Sequence, residues 1–165
     1  ADANATDVGD LTVARFSSAG QSSATSGYAA GGGGAPARVN TIDKFPFASD
    51  ANATDVGDLT LVRDEPIGQS SDVSGYSTGG ETPAVTNVID KFPFTSDANA
   101  TDVGDLIITL RSASGQSSNV SGYTSGGGTT GATLQNIIQK FPFSSDTNAT
   151  DVGDLTVARY GAAGQ

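Results

Sequence analysis

The sequence contains no cysteine and no histidine. Without cysteine it has no disulfide framework, no thiol nucleophile and no thiolate metal site. Without histidine, its many serines have no evident base to activate them. Paired carboxylates do occur, but they recur in every repeat, whereas an active site is usually built once. We therefore predict that the chain is not an enzyme.

Apolar residues and positive charge are also scarce. Only 36% of the 165 residues are hydrophobic, and 22 are glycine, a composition that by itself favours disorder because little apolar surface offsets chain entropy. No stretch approaches the roughly 20 apolar residues of a membrane span. Eight basic against eighteen acidic residues give a net charge of -10, which repels phosphate backbones and anionic lipid. We expect neither a nucleic-acid partner nor membrane insertion.

Internal repetition is the main feature that is present. The string Asn-Ala-Thr-Asp-Val-Gly-Asp-Leu occurs at residues 4–11, 52–59, 99–106 and 148–155. After each copy come an Arg and a Gly-Gln pair, then Ser-Gly-Tyr, a double Gly and Lys-Phe-Pro-Phe as far as the chain runs. The repeat of about 48 residues defines three full units and a partial fourth. Their boundaries are 4–51, 52–98, 99–147 and 148–165. Because the chain opens at Ala1 within this motif, we expect a processed product or a fragment of a longer protein.

Each unit is predicted to contain four short strands, because apolar and hydroxyl-bearing runs are separated by Gly, Pro, Asn and Asp. In the first unit these strands run from Leu11 toward Ser22, from Gly27 to Ala30, from Val39 to Ile42, and around Phe45 to Phe47. No window keeps a helical apolar period. The predicted fold is all-β, with tandem four-stranded sheets like propeller blades; a β-solenoid and an open stack of sheets are the alternatives.

The order of the marker residues resembles the kelch repeat. In the first unit the markers are Arg15, Ala19-Gly20, Gly27-Tyr28, Gly31-Gly32, Val39 and Ile42-Asp43. The resemblance implies kelch-like blades in which the double glycine and the arginine have structural roles. Those residues are Gly31, Gly32, Gly79, Gly80, Gly126, Gly127, Arg15, Arg63, Arg111 and Arg159. The sequence departs from the pattern at Ile42, Ile89 and Ile138, where kelch units usually have Tyr, and at Gln139, which replaces Asp. Lys-Phe-Pro-Phe followed by the acidic string is similar to repeats in virion structural proteins of marine bacteriophages.

The acidic string has oxygen-bearing side chains at alternate positions, as calcium loops do. It is similar to the calcium loop of integrin-type propellers, but Thr6 replaces an Asp and Asp7 replaces the turn glycine. We interpret it as a turn whose Asp and Asn side chains bond their own backbone, with no tightly bound metal. In that interpretation Asp10 and its equivalents accept backbone or Arg hydrogen bonds. The alternative is a weak calcium site formed by Asp2, Asn4, Asp10, Asp50, Asn52, Asp58, Asp97, Asn99, Asp105, Asp146, Asn148 and Asp154.

The sequence also predicts the burial or the contacts of individual residues. We expect burial of Val8, Leu11, Val13, Tyr28, Ile42, Phe47 and their equivalents. Gly31 and its equivalents should have a conformation or a contact that a Cβ would obstruct. Each arginine should lie beside an equivalent of Asp10 or Asp43. Any recognition specific to one unit should lie where the units differ, at residues 35–38, 64–66 and 81–83.

Near-identical units indicate fold maintenance or multivalent contact. We expect a structural or adhesive module of a virion tail or fibre, or of another extracellular assembly, that presents repeated polar loops to a protein or receptor. Its expected partners are other copies of itself, other assembly proteins, or cell-surface carbohydrate. The alternative is a calcium-dependent or carbohydrate-binding propeller, with calcium as the one possible cofactor. Because both ends carry the same stretch, we also expect head-to-tail contacts at residues 11–22 and 155–165.

Overall fold

The computed structural model describes residues 4–34, 36–161 and 164. Regular structure in these residues is entirely β, so they include no helix that could cross a lipid bilayer. The strands are β1 (Arg15–Phe16), β2 (Ala19–Ser22), β3 (Ser26–Gly34), β4 (Val39–Pro46), β5 (Thr54–Asp58), β6 (Ile67–Ser70), β7 (Ser74–Thr78), β8 (Val88–Pro93), β9 (Thr101–Asp105), β10 (Ser114–Ser117), β11 (Ser121–Ser125), β12 (Ile137–Pro142) and β13 (Thr150–Asp154). The all-β prediction is confirmed.

The strands form three antiparallel sheets, each a meander in which consecutive strands are neighbours. The first sheet has the order β2-β3-β4-β5, and the short β1 also pairs with β3. The second sheet is β6-β7-β8-β9 and the third is β10-β11-β12-β13. Antiparallel neighbours need only short connections, which the Gly, Ser and Pro clusters supply. The part of the chain described contains no closed ring of sheets, so the propeller arrangement itself is not established.

The fourth strand of each sheet is the segment Thr-Asp-Val-Gly-Asp, and its assignment as a turn is wrong. Phe45 to Phe47, predicted as a separate fourth strand, instead lies at the end of the third strand, which continues through Pro46. The expected local bond does exist, because Asp55 Oδ1 accepts the Gly57 amide at 3.1 Å. That bond lies at a bulge where the register shifts between Ile42 and Asp43. Each sheet therefore takes its fourth strand from the next copy of the motif.

Neighbouring sheets meet closely at their first strands, β2, β6 and β10. A Cβ added to Gly68 would overlap the Gly20 carbonyl oxygen, and one on Gly115 would overlap the Gly68 carbonyl. Gly164 stands in the same relation to Gly115, so the stacking continues into the partial unit. Backbone packs directly on backbone here, which only glycine permits.

Aromatic residues fill the space between the sheets farther from these glycines. Tyr28 of the first sheet stacks on Phe94 of the second with ring centroids 4.8 Å apart, and Tyr76 stacks on Phe143 of the third at 4.9 Å. Tyr28 also meets Phe92 at 5.6 Å. Such pairs add to the burial of apolar area. The core is thus an interface between successive sheets.

The burial predictions are correct in part. Tyr28 and Ile42 are buried as expected. Val8, Val13 and Phe47 are instead 53%, 40% and 55% exposed. Val8 lies in an unpaired copy of the motif and Phe47 lies on the outer face of the first sheet, where no preceding sheet covers it. Val13 lies in the irregular stretch between Leu11 and β1, outside the strand predicted there.

The double glycines have positive φ angles, as their position in the repeat predicted. Gly79 has φ +60° and Gly80 has φ +98°, in the region that side chains rarely adopt. A Cβ on Gly79 would overlap the carbonyl oxygen of Leu110. The Gly80 amide donates to that same carbonyl at 2.7 Å. The pair therefore lets one sheet approach the segment that leads into the next.

Candidate functional site

The arginine and aspartate positions form buried polar links between the motif and the sheets. In the first link, Thr12 and Arg15 bind Asp43. Thr12 donates to the carboxylate through its amide at 3.0 Å and its hydroxyl at 2.6 Å, and Arg15 Nη2 lies 2.8 Å from Asp43 Oδ2. Both charged side chains are fully buried. Burial lowers the pKa of Arg15, and the nearby Asp43 opposes that effect.

The second link repeats this geometry with Thr60, Arg63 and Asp90. The Thr60 amide and hydroxyl donate to Asp90 at 2.9 and 2.7 Å, and Arg63 Nη2 donates to Asp90 Oδ2 at 2.9 Å. Arg63 also donates to the Ser77 carbonyl at 2.9 Å. The Arg63 and Asp90 side chains have no solvent exposure, and burial lowers the pKa of Arg63. A carboxylate so deeply buried requires this compensation.

The third link consists of different residues at equivalent positions. Leu110 takes the place of Arg63, Gln139 that of Asp90, and Ile107 that of Thr60. The backbone supports this alignment, since the carbonyl of Leu110 accepts the Gly80 amide just as that of Arg63 accepts the Gly32 amide. Gln139 Oε1 accepts the Ile107 amide, and Gln139 Nε2 is buried without a protein partner. A charged set has been replaced as a whole by a neutral one.

Arg111 therefore does not have the role assigned from the sequence. It lies one position beyond Leu110 and reaches across the surface to Glu81 at 2.5 Å and Glu65 at 3.5 Å. The same cluster continues through Arg38, which binds Asp64 at 2.7 Å and Glu81 at 3.1 Å. Residues from the variable stretches thus lie together, as a partly exposed ion-pair network that bridges successive units.

Arg159, the last of the predicted structural arginines, is exposed. Its Nε donates to the carbonyl of Val157, two residues earlier in the chain, at 3.2 Å. No acidic side chain pairs with it in the described part of the chain. Its backbone is nevertheless placed like that of Arg63, since the Gly127 amide donates to the Arg159 carbonyl at 2.8 Å.

The candidate calcium ligands are used in other ways. Asn52, Asn99 and Asn148 each accept, through Oδ1, the backbone amide of Asp10, Asp58 and Asp105 at 3.0 Å. Asp97 and Asp146 pair with Lys44 and Lys91 at 3.1 and 2.9 Å. Within the described ranges, no three acidic side chains converge on a point where they could hold a metal. Asp2 lies outside the described residues.

Asp10 and its equivalents were expected to accept hydrogen bonds through their side chains. It is instead their backbone that is engaged. The Asp58 carbonyl accepts the Ala100 amide at 2.8 Å, and its amide binds Asn99 of the next unit. The local side-chain hydrogen bonds are made by the other aspartate of the motif, since Asp55 Oδ1 accepts the Gly57 amide. The acidic string therefore joins successive units through its backbone.

The turns between first and second strands form a repeated exposed edge, here called the serine edge and comprising residues 22–26, 70–74 and 117–121. Within one turn, the Ser74 amide donates to Ser71 Oγ at 3.0 Å. Between turns, the Ser22 amide donates to Ser70 Oγ at 3.0 Å and the Ser70 amide to Ser117 Oγ at 2.9 Å. The tips at 24–25, 72–73 and 119–120 are exposed. The hydroxyls thus fix three similar loops in one line.

Comparison with protein-family models finds no match, and comparison with curated protein sequences finds no significant relative. Resemblance to kelch and phage repeats therefore rests on the residues quoted above. Sequence reasoning missed the third link and the serine edge. The signal for the third link was present, because Leu110 is four positions after Leu106, the spacing that separates Arg63 from Leu59, whereas Arg111 is five positions after.

Proposed function

We propose that this chain is a non-enzymatic structural and adhesive repeat module of a virion tail or fibre, or of another extracellular assembly. The observation that carries the proposal is the serine edge, where three similar loops are exposed in line and fixed to one another. The stacked Tyr and Phe rings and the Lys–Asp pairs are meanwhile used in holding successive sheets together. In this proposal the sheets are kelch-like blades, a view supported by their double glycines and closely packed first strands.

Three similar loops held in line suit a partner that repeats as well, such as cell-surface carbohydrate or a periodic protein surface. Each contact can be weak, because attachment of one loop raises the effective concentration of the others. Other assembly proteins and further copies of the chain are partners of the same kind.

The test is binding to an array of bacterial and animal cell-surface polysaccharides. Thr25→Glu, Val73→Glu and Val120→Glu each place a charge at one loop tip, and Val62→Glu is the control at an exposed position away from the edge. One blocked loop should weaken binding modestly, and three together should weaken it by about 100-fold or more. Binding that is unaffected by the triple variant, or no binding to any polysaccharide, would contradict adhesion to carbohydrate through the serine edge.

Repeating the polysaccharide-binding assay with EDTA distinguishes the alternative function, a calcium-dependent or carbohydrate-binding propeller. Loss of binding in EDTA and its recovery on adding Ca²⁺ would favour that alternative. The engagement of Asn52, Asn99 and Asn148 with backbone amides favours the calcium-independent form.

A further inference from the structure

The two junctions between sheets use the same set of contacts. An aromatic pair joins Tyr28 to Phe94 and, at the next junction, Tyr76 to Phe143. A salt bridge accompanies each pair, from Lys44 to Asp97 at 3.1 Å and from Lys91 to Asp146 at 2.9 Å. In every case Tyr and Lys come from the earlier sheet, and Phe and Asp from the later one.

Each end of the described chain presents one half of this set. The leading face, on the first sheet, carries Phe45, Phe47 and Asp50, which are equivalent to Phe92, Phe94 and Asp97. Phe47 is 55% exposed, and Phe45 and Phe47 line an open groove with Val8 and Leu11. The trailing face, on the third sheet, carries Tyr123 and Lys140. Among the described residues no ring stacks on Tyr123 and no acid pairs with Lys140.

The arginine link is divided between the two ends in the same way. A complete link at Arg63 has its backbone on the first sheet, through Gly32 and Val39, and its side chain on Asp90 of the second. Arg15 makes the side-chain contact of such a link, to Asp43. Arg159 has the backbone half, since its carbonyl accepts the Gly127 amide and its amide donates to Gln135 at 3.1 Å.

Residues 148–159 have the same sequence as residues 4–15. One segment can therefore make the contacts that the other makes. The two are held at different positions: residues 150–154 are paired as β13 and residues 6–10 belong to no strand, whereas Arg15 is bound to Asp43 and Arg159 to no acid among the described residues. An exchange should therefore retain residues 148–159 of one copy and displace residues 4–15 of the next.

We propose that copies of this chain join head to tail by such an exchange. The trailing face of one copy packs on the leading face of a second, with Tyr123 on Phe47, Lys140 beside Asp50, and Arg159 on Asp43. The driving force is burial of the uncovered aromatic faces, because the exchanged segments are equivalent. This inference names the partner for the structural role proposed above and depends on that role.

Crosslinking provides the direct test, because the chain has no native cysteine. Lys140→Cys and Asp50→Cys chains are mixed and treated with a short bismaleimide. We expect a crosslinked dimer from the mixture at micromolar protein and little from either variant alone. Lys91→Cys with Asp146→Cys in one chain is the control, which should crosslink within the monomer because those side chains pair there. Failure of the mixture while the control reacts would overturn the proposal.

Sedimentation of the full chain supplies the second measurement. Phe47→Asp should abolish association without unfolding the protein, since Phe47 is already largely exposed, whereas Val73→Asp, a matched change on a loop tip, should leave association intact. Lys140→Glu and Asp50→Lys should each weaken association alone and recover it when mixed, because the mixture restores opposite charges at every junction. Equal association of Phe47→Asp and wild type would contradict the proposed contact. If Phe47→Asp is monomeric but still binds polysaccharide, the head-to-tail contact and the adhesive role are separate properties. If the wild-type chain is itself a monomer and binds polysaccharide, the head-to-tail contact is refuted and the adhesive role is not.

Discussion

Replacing Arg63 with leucine removes the one cation from a fully buried link. Asp90 would remain in the core with the two hydrogen bonds from Thr60 and no counter-charge. Breaking a buried ion pair from one side costs about 3 to 5 kcal/mol. Because Thr60 still donates twice, we place Arg63→Leu near the lower limit, at about 3 kcal/mol, a large fraction of a small domain's stability.

The third link shows how this cost can be removed. Adding Asp90→Gln and Thr60→Ile to Arg63→Leu reproduces the set Ile107, Leu110 and Gln139. A buried ion pair replaced as a whole is often neutral for stability, and one unpaired amide costs about 1 to 3 kcal/mol. The triple variant should therefore lie within about 2 kcal/mol of wild type and above the single variant.

Urea unfolding followed by circular dichroism gives these free energies, provided that the m-value stays constant among the variants. At a protein concentration at which the chain is monomeric, Arg159→Leu is the control and should change stability by less than about 0.5 kcal/mol, because in the monomer Arg159 is exposed and contacts no acid among the described residues. A single variant that costs less than about 1 kcal/mol, or a triple variant no more stable than the single, would refute the account of the link.

Two further predictions concern other parts of the fold. Gly115→Ala should destabilise the protein by about 2 kcal/mol because its Cβ would overlap the Gly68 carbonyl, while Gly20→Ala, with nothing within 4 Å, should be nearly neutral; equal urea midpoints would contradict the backbone contact. The pKa of Lys91 is raised by its hydrogen bond to Asp146, and that of Tyr76 by burial. Groups with raised pKa in the folded state add stability below their unfolded values, so the melting temperature should fall above pH about 10. Asp146→Asn should reduce that fall, and Asp50→Asn, at a position without a lysine partner, should not.

Local and periodic features were predictable from the sequence. The repeat, the all-β character and the left-handed glycines follow from residue type and spacing alone. Arg15 and Arg63 were expected beside an equivalent of either Asp10 or Asp43, and the structure places them beside Asp43 and Asp90.

What the sequence did not reveal depends on contacts between units. Thr54–Asp58 has the composition of a turn and makes the local bond of one, yet it is a strand because β4 lies beside it. Val13 has an apolar side chain but lies in no strand and is 40% exposed. Arg111 was matched by residue type, whereas backbone position assigns the link to Leu110.

The division of the chain into units 4–51, 52–98 and 99–147 keeps the side chains of every link inside one unit. Thr60, Arg63 and Asp90 belong to the second unit, and their neutral counterparts to the third, although the strands of each sheet cross the unit boundary. Recombination between near-identical coding stretches adds or removes whole units. Such an event would transfer each link complete, so that a buried aspartate would never face a leucine. Lengthening or shortening the array would therefore leave the electrostatic balance of its core unchanged, which makes the number of repeats a property free to vary.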